Sequence, residues 1–137
     1  MGNSTKFLKR PSMNHVSDLV FDQNFIDFSV ENVAIAGTID VLAVPAGAII
    51  LACGVHAVTH EDTVEYKLSL VDSTGATDVL GTVAHTADNQ NKAAGTVAAN
   101  MTCNSLGGTL RVTIAAANAT VAKVTPWVLY GIIKNIA

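Results

Sequence analysis

The feature that most constrains this chain is a two-residue alternation of apolar and polar side chains. In Thr63 to Leu70, Val64, Tyr66, Leu68 and Leu70 fall on one side of an extended backbone. Thr63, Glu65, Lys67 and Ser69 fall on the other. A helix would scatter both sets around its axis, so only a strand with one wet face sorts them this way. Thr109 to Ala115 repeats the pattern, with Leu110, Val112 and Ile114 inward and Thr109, Arg111 and Thr113 outward, and Ile26 to Val30 alternates as well. Val, Ile and Thr together number 40 against 10 Leu, and β-branched side chains suit pleated strands better than helices.

Two stretches are apolar on both sides: Ala48 to Val58 (AIILACGVHAV) and Trp127 to Ile133 (WVLYGII). These read as central strands covered on both faces, or as strands at a subunit contact. Weaker strands are expected at Thr38–Val44, Asp78–Ala84, Gly95–Cys103 and Ala119–Val124. Turns are expected at Pro45–Gly47, His60–Asp62, Asp72–Gly75, Asp88–Asn91 and Asn104–Gly108, where Gly, Pro, Asn and Asp supply the backbone angles or local bonds. Eight or nine short strands and no long helix predict an all-β chain with a single β-sandwich. A jelly roll is the expected form, and an immunoglobulin-like sandwich is the rival.

The first 18 residues differ from this domain. Lys6, Lys9 and Arg10 face one acid, Asp18, so the segment carries about +2, and the remaining residues carry about −5. Pro11 interrupts any helix, and no apolar period runs through. Residues 1–18 are therefore read as an extended N-terminal arm that docks on a partner or frays, and residues 19–137 as the sandwich domain.

Charge narrows the function classes. Charged residues make up only 14% and the net charge is −3, against about 25% charged in an ordinary soluble domain. Surface covered by neighbours in an oligomer or lattice is the expected reason for this scarcity, and a neutral, Thr-rich surface on a monomer is the other reading. The acidic balance argues against nucleic acid as a partner. No apolar run reaches the roughly 18 residues of a membrane-spanning helix, and the polar, basic start has no secretory h-region.

The chemistry-bearing residues form no catalytic pattern. His56 and His60 would sit about 13 Å apart on an extended strand, too far to share one ion, so no metal or other cofactor is expected. Cys53 and Cys103 lack metal-ligand spacing. Cys53 reads as a small buried hydrophobe, with a disulfide to Cys103 the other option. None of the seven serines sits in a G-x-S-x-G elbow. The glycine turn Gly107-Gly108 lacks a phosphate-loop lysine and a following helix. The chain is therefore expected not to be an enzyme. Trp127 and Tyr130 are candidates for core or subunit contact rather than a sugar platform.

The strand–turn–strand Ile39-Asp-Val-Leu-Ala-Val44-Pro45-Ala46-Gly47-Ala-Ile-Ile50, with the closing Gly107-Gly108-Thr-Leu-Arg-Val-Thr-Ile114, resembles segments of the head decoration (cement) proteins of tailed bacteriophages. The resemblance covers about residues 35–135. It implies a structural virion protein with a β-sandwich or jelly-roll fold, often a homotrimer. Such a protein binds the major capsid protein on the outer head surface and is made in the host bacterial cytoplasm. On that reading Lys6, Lys9 and Arg10 are the candidate capsid contacts. The alternative is a phage tail or fibre module that is structural or binds host glycans, and a free-standing carbohydrate-binding module is a third possibility.

Overall fold

The structure is a computed structural model that describes residues 16–95 and 107–133. Nine strands follow in order: β1 (Val16–Gln23), β2 (Ile26–Asp27), β3 (Thr38–Val44), β4 (Ala48–Thr59), β5 (Glu65–Asp72), β6 (Thr77–Ala84), β7 (Gln90–Ala93), β8 (Gly108–Ala115) and β9 (Lys123–Ile133). The described residues contain no helix and form two antiparallel sheets. One has the order β1-β9-β4-β7, with β2 prolonging β1 along the same edge of β9, and the other has the order β3-β8-β5-β6. From β3 onward the chain crosses between the sheets at every step except the β5–β6 hairpin. That double Greek key is the jelly roll expected from the strand count.

The inward positions fill the space between the sheets. Tyr66, Leu68 and Leu70 on β5, Leu110, Val112 and Ile114 on β8, and Cys53, Val55, Val124 and Val128 opposite them are at most 3% exposed. β5 and β8 pair in register, Leu68 against Val112 and Leu70 against Leu110. The two alternating stretches thus build the middle of one sheet. β4 and β9 are the middle strands of the other.

Four expectations need correction. The alternation Ile26–Val30 ends at Asp27, whose carboxylate accepts bonds from the Ser29 amide (2.9 Å) and hydroxyl (2.5 Å). That local bonding turns the chain out of the ladder. The expected strand Ala119–Val124 begins only at Lys123, because the amides of Thr120, Val121 and Ala122 donate to Glu61 instead. The expected turn Asp88–Asn91 runs into β7, an edge strand of sequence QNKA paired with Gly54–Ala57 of β4. Val16–Asp18, assigned to the arm, begin β1, whose Val16 pairs with Ile133. The rest of the arm, with Lys6, Lys9 and Arg10, lies outside the described residues, as do Cys103 and most of the strand expected at Gly95–Cys103.

Candidate functional site

The outer faces of the two sheets differ in kind. On β3-β8-β5-β6 the outward ladder carries Asp40, Arg111, Glu65 and Lys67 among threonines. Arg111 Nε donates to Asp40 Oδ1 at 2.7 Å across the strands. The bond from Arg111 holds the Asp40 carboxyl below the usual aspartate range. This is an ordinary wetted sheet face.

The outer face of β1-β9-β4 carries no formal charge between its ends. Leu19, Phe21 and Gln23 project from β1 opposite Gly131, Leu129 and Trp127 of β9. Ile49, Ala52, Gly54 and His56 of β4 lie opposite Gly131, Leu129, Trp127 and Thr125. Leu19 is 65% exposed, Phe21 57% and Leu51, at a bulge in β4, 46%. Together these three side chains expose on the order of 300 Å² of apolar surface, a size at which a monomer's largest patch is commonly a binding site.

Trp127 organises this face. Its ring stacks on Phe21 with centroids 5.6 Å apart and planes at 25°. Its Nε1 donates to Asn91 Oδ1 at 2.7 Å, tying β9 across β4 to β7. The indole crosses β4 over Gly54, where a Cβ would stand 2.7 Å from the ring and 2.3 Å from the Lys92 carbonyl oxygen. Only glycine leaves room for the ring to lie flat there. Tyr130, the other candidate contact, points inward and is 7% exposed. Of the pair, Trp127 alone reaches the outer face.

Several of the remaining titratable groups serve the fold. At the β4–β5 turn, Glu61 Oε1 accepts from the amides of Thr120 (2.8 Å), Val121 (2.9 Å) and Ala122 (3.1 Å), and Oε2 accepts from the Thr120 hydroxyl (2.8 Å). Burial pushes the Glu61 carboxyl up, but these bonds outweigh it and leave it below the usual glutamate range. His60 lies between two carboxylates, with Nδ1 2.7 Å from Asp88 and Nε2 3.2 Å from Asp62. The Asp88 bond is the main reason its pKa is raised. His56 lies elsewhere, on the sheet face beside Thr125 and Asn91. Among the described residues no group of three His, Cys, Asp or Glu is placed to hold a metal ion.

His85 is buried, with Nε2 2.8 Å from the Val55 carbonyl oxygen, and burial lowers its pKa. Cys53 is a free thiol with no exposure, pushed up to about 12 by burial. At that value it is a packing group and not a nucleophile.

Sequence reasoning singled out Trp127 and missed Leu19 and Phe21. Their signal was present as an apolar pair two residues apart beside a charged segment. No protein-family model matches the chain, and no curated protein matches it. Its fold is similar to a chain of the acidic stable capsid structure of Helicobacter pylori bacteriophage KHP30, with a TM-score of 0.55 and 17% identity over 83% of this chain and 87% of that one. It is similar also to a chain of the capsid asymmetric unit of cyanophage Pam1, with a TM-score of 0.55 and 21% identity over 84% of this chain and 85% of that one.

Proposed function

We propose that this chain is a structural virion protein of a bacteriophage, a decoration protein that binds the outer capsid surface and acts by adhesion rather than catalysis. The observation that carries the reading is the uncharged outer face of β1-β9-β4, built around the Phe21–Trp127 stack. The opposite sheet face is charged and hydrated, so the sandwich has one side to be covered and one to meet water. The shared fold with chains of two phage capsid structures supports the same reading.

The mechanism is burial. Covering about 300 Å² of apolar surface contributes roughly 7–8 kcal/mol before the cost of association. That cost is itself about 4–15 kcal/mol. One such contact gives weak binding, so stable occupancy needs self-association, for which a homotrimer is the form we propose, or many contacts on a lattice. Lys6, Lys9 and Arg10 add ionic contacts worth about 0–1 kcal/mol each when exposed. They set register more than strength.

Cryo-electron microscopy of the phage particle tests this. The expected map shows the jelly roll on the outer head surface with Leu19, Phe21, Leu51 and Trp127 against a neighbour. Density for the chain at the tail or fibre, or nowhere in the particle, refutes the head-surface reading.

A further inference from the structure

A second surface stands apart from the sheet face. The connection between β2 and β3 borders a groove of about 670 Å³ whose lining includes Phe25, Val30, Val33 and Ile39. Its outer apolar wall is unusually open: Phe25 is 53% and Val30 83% exposed. Phe28, with no exposure, belongs to its floor.

The groove is preformed. Phe28 N donates to the Ala122 carbonyl (2.9 Å), Val33 and Ala119 exchange two backbone bonds (3.0 and 2.8 Å), and Ile35 N donates to Asn118 Oδ1 (2.9 Å). A segment entering it meets a surface already in place.

Its charge says what fits. Asp27, Glu31 and Asp40 all line the groove. Asp40 is engaged by Arg111, and Asp27 binds Ser29 with Lys123 nearby. Glu31 is the open carboxylate of the three, exposed beside Val30. The matching ligand is a short segment with bulky apolar side chains next to cations. Lys6-Phe7-Leu8-Lys9-Arg10 is the densest such segment of the sequence, holding three of the chain's eight basic residues.

Chain length favours a neighbour's segment over the chain's own. Val16 pairs with Ile133 and Ile26 with Val124. Nine residues of β9, about 30 Å of strand, therefore separate the start of β1 from the groove. Six residues link Arg10 to Val16 and seven link Lys9, spans of at most about 21 and 25 Å. Even counting side-chain reach, a chain's own Lys9 or Arg10 comes level with its own groove only with the link to Val16 pulled nearly straight, whereas a neighbour's meets no such limit.

We infer that residues 6–10 of one copy dock in the Phe25–Val30–Glu31 groove of a second copy, linking copies head to tail. Phe7 and Leu8 lie on Phe25, Val30 and Ile39, and Lys9 or Arg10 pairs with Glu31. The link is independent of what the β1-β9-β4 face covers, so its failure leaves the virion reading standing, and the reverse.

Two measurements on the full chain test it. Sedimentation velocity at about 50 mM salt is expected to show self-association that weakens at least about tenfold in Lys9→Glu/Arg10→Glu. A mixture of that variant with Glu31→Lys is expected to recover association. In the second, a Leu8→Cys chain is mixed with a Val30→Cys chain, both with Cys103→Ser. A mixed disulfide dimer is expected to form faster than either chain dimerises alone. A monomer at every concentration, or association unmoved by the charge reversals, overturns the inference. So does cross-linking confined within a single Leu8→Cys/Val30→Cys chain.

Discussion

Glu61→Ala is the sharpest test of how this sandwich holds its ends together. The Glu61 carboxylate is the shared acceptor for three successive amides and one hydroxyl of the loop entering β9. A hydrogen bond to a charged group contributes about 1.5–3 kcal/mol net, and a buried donor left unmade costs a similar amount. The four bonds do not lose equally. Thr120 and Val121 are exposed, so their amides rehydrate, whereas Ala122 has no exposure and its amide is left without a partner. Counting the Ala122 bond in full and the others as fractions gives about 3 kcal/mol. At about 2.1 cal/mol/K per residue this lowers the Tm by roughly 10 °C, read by circular dichroism at neutral pH. Glu61→Gln keeps one acceptor oxygen without the charge and is expected to lose about half as much. The sign with pH follows from the depressed Glu61 pKa. Its contribution is complete above the unfolded value of 4.5 and is lost as pH falls through the lower folded value. The gap between parent and Glu61→Ala therefore narrows below about pH 4. A Tm loss under about 2 °C at pH 7, or a gap that widens in acid, refutes the reasoning.

Three further outcomes are expected. His60, whose pKa is raised chiefly by its bond to Asp88, stabilises the fold fully below the unfolded value of 6.5 and loses that effect as pH rises through the higher folded value; His60→Gln is expected to lower the urea midpoint at pH 5.5 and to change it little at pH 9. Gly54→Val puts a branched side chain against the Lys92 backbone and Trp127; overpacking of about 1–3 kcal/mol and a shifted indole fluorescence are expected, checked by urea titration and emission spectra. Thr63 sits at φ 68, where a β-branched residue is strained; Thr63→Gly is expected to raise stability by up to about 1 kcal/mol, measured as a higher urea midpoint with an unchanged slope.

How much of this the sequence disclosed depended on which force shaped each segment. Where burial on one face governs, the alternation was legible: β3 has the expected bounds, Thr38–Val44, and β5 and β8 lie within two residues of theirs. Where a polar side chain captures the backbone, composition misleads. Asp27 ends an apparent strand, and Glu61 converts another into a loop. β7 gives no apolar signal because an edge strand of Gln, Asn and Lys buries almost nothing. The site was half legible. Trp127 and Tyr130 are three apart, an odd spacing that puts them on opposite faces of a strand, so only one could belong to a surface. Leu19 and Phe21 were obscured because charge, not pleat, set the boundary of the arm at residue 18. Glu31 and its groove had no sequence signal, since Phe25, Val30 and Ile39 come together only through the folded connection.

The two surfaces together explain why so few charges suffice. The sheet face alone yields about as much as association costs, so a single copy would come and go. A second, independent link between copies changes the arithmetic, because once one copy is seated the next binds at an effective concentration set by the tether. Avidity of that kind raises apparent affinity by about 10²–10⁴ without enlarging either contact. A basic segment ahead of β1 suits the tether, and an uncharged sheet face suits the seat. On this argument, Lys9→Glu/Arg10→Glu leaves the fold and the apolar face intact yet strips the chain from particles on dilution. A change confined to the face, such as Phe21→Ser, spares copy-to-copy association and abolishes seating.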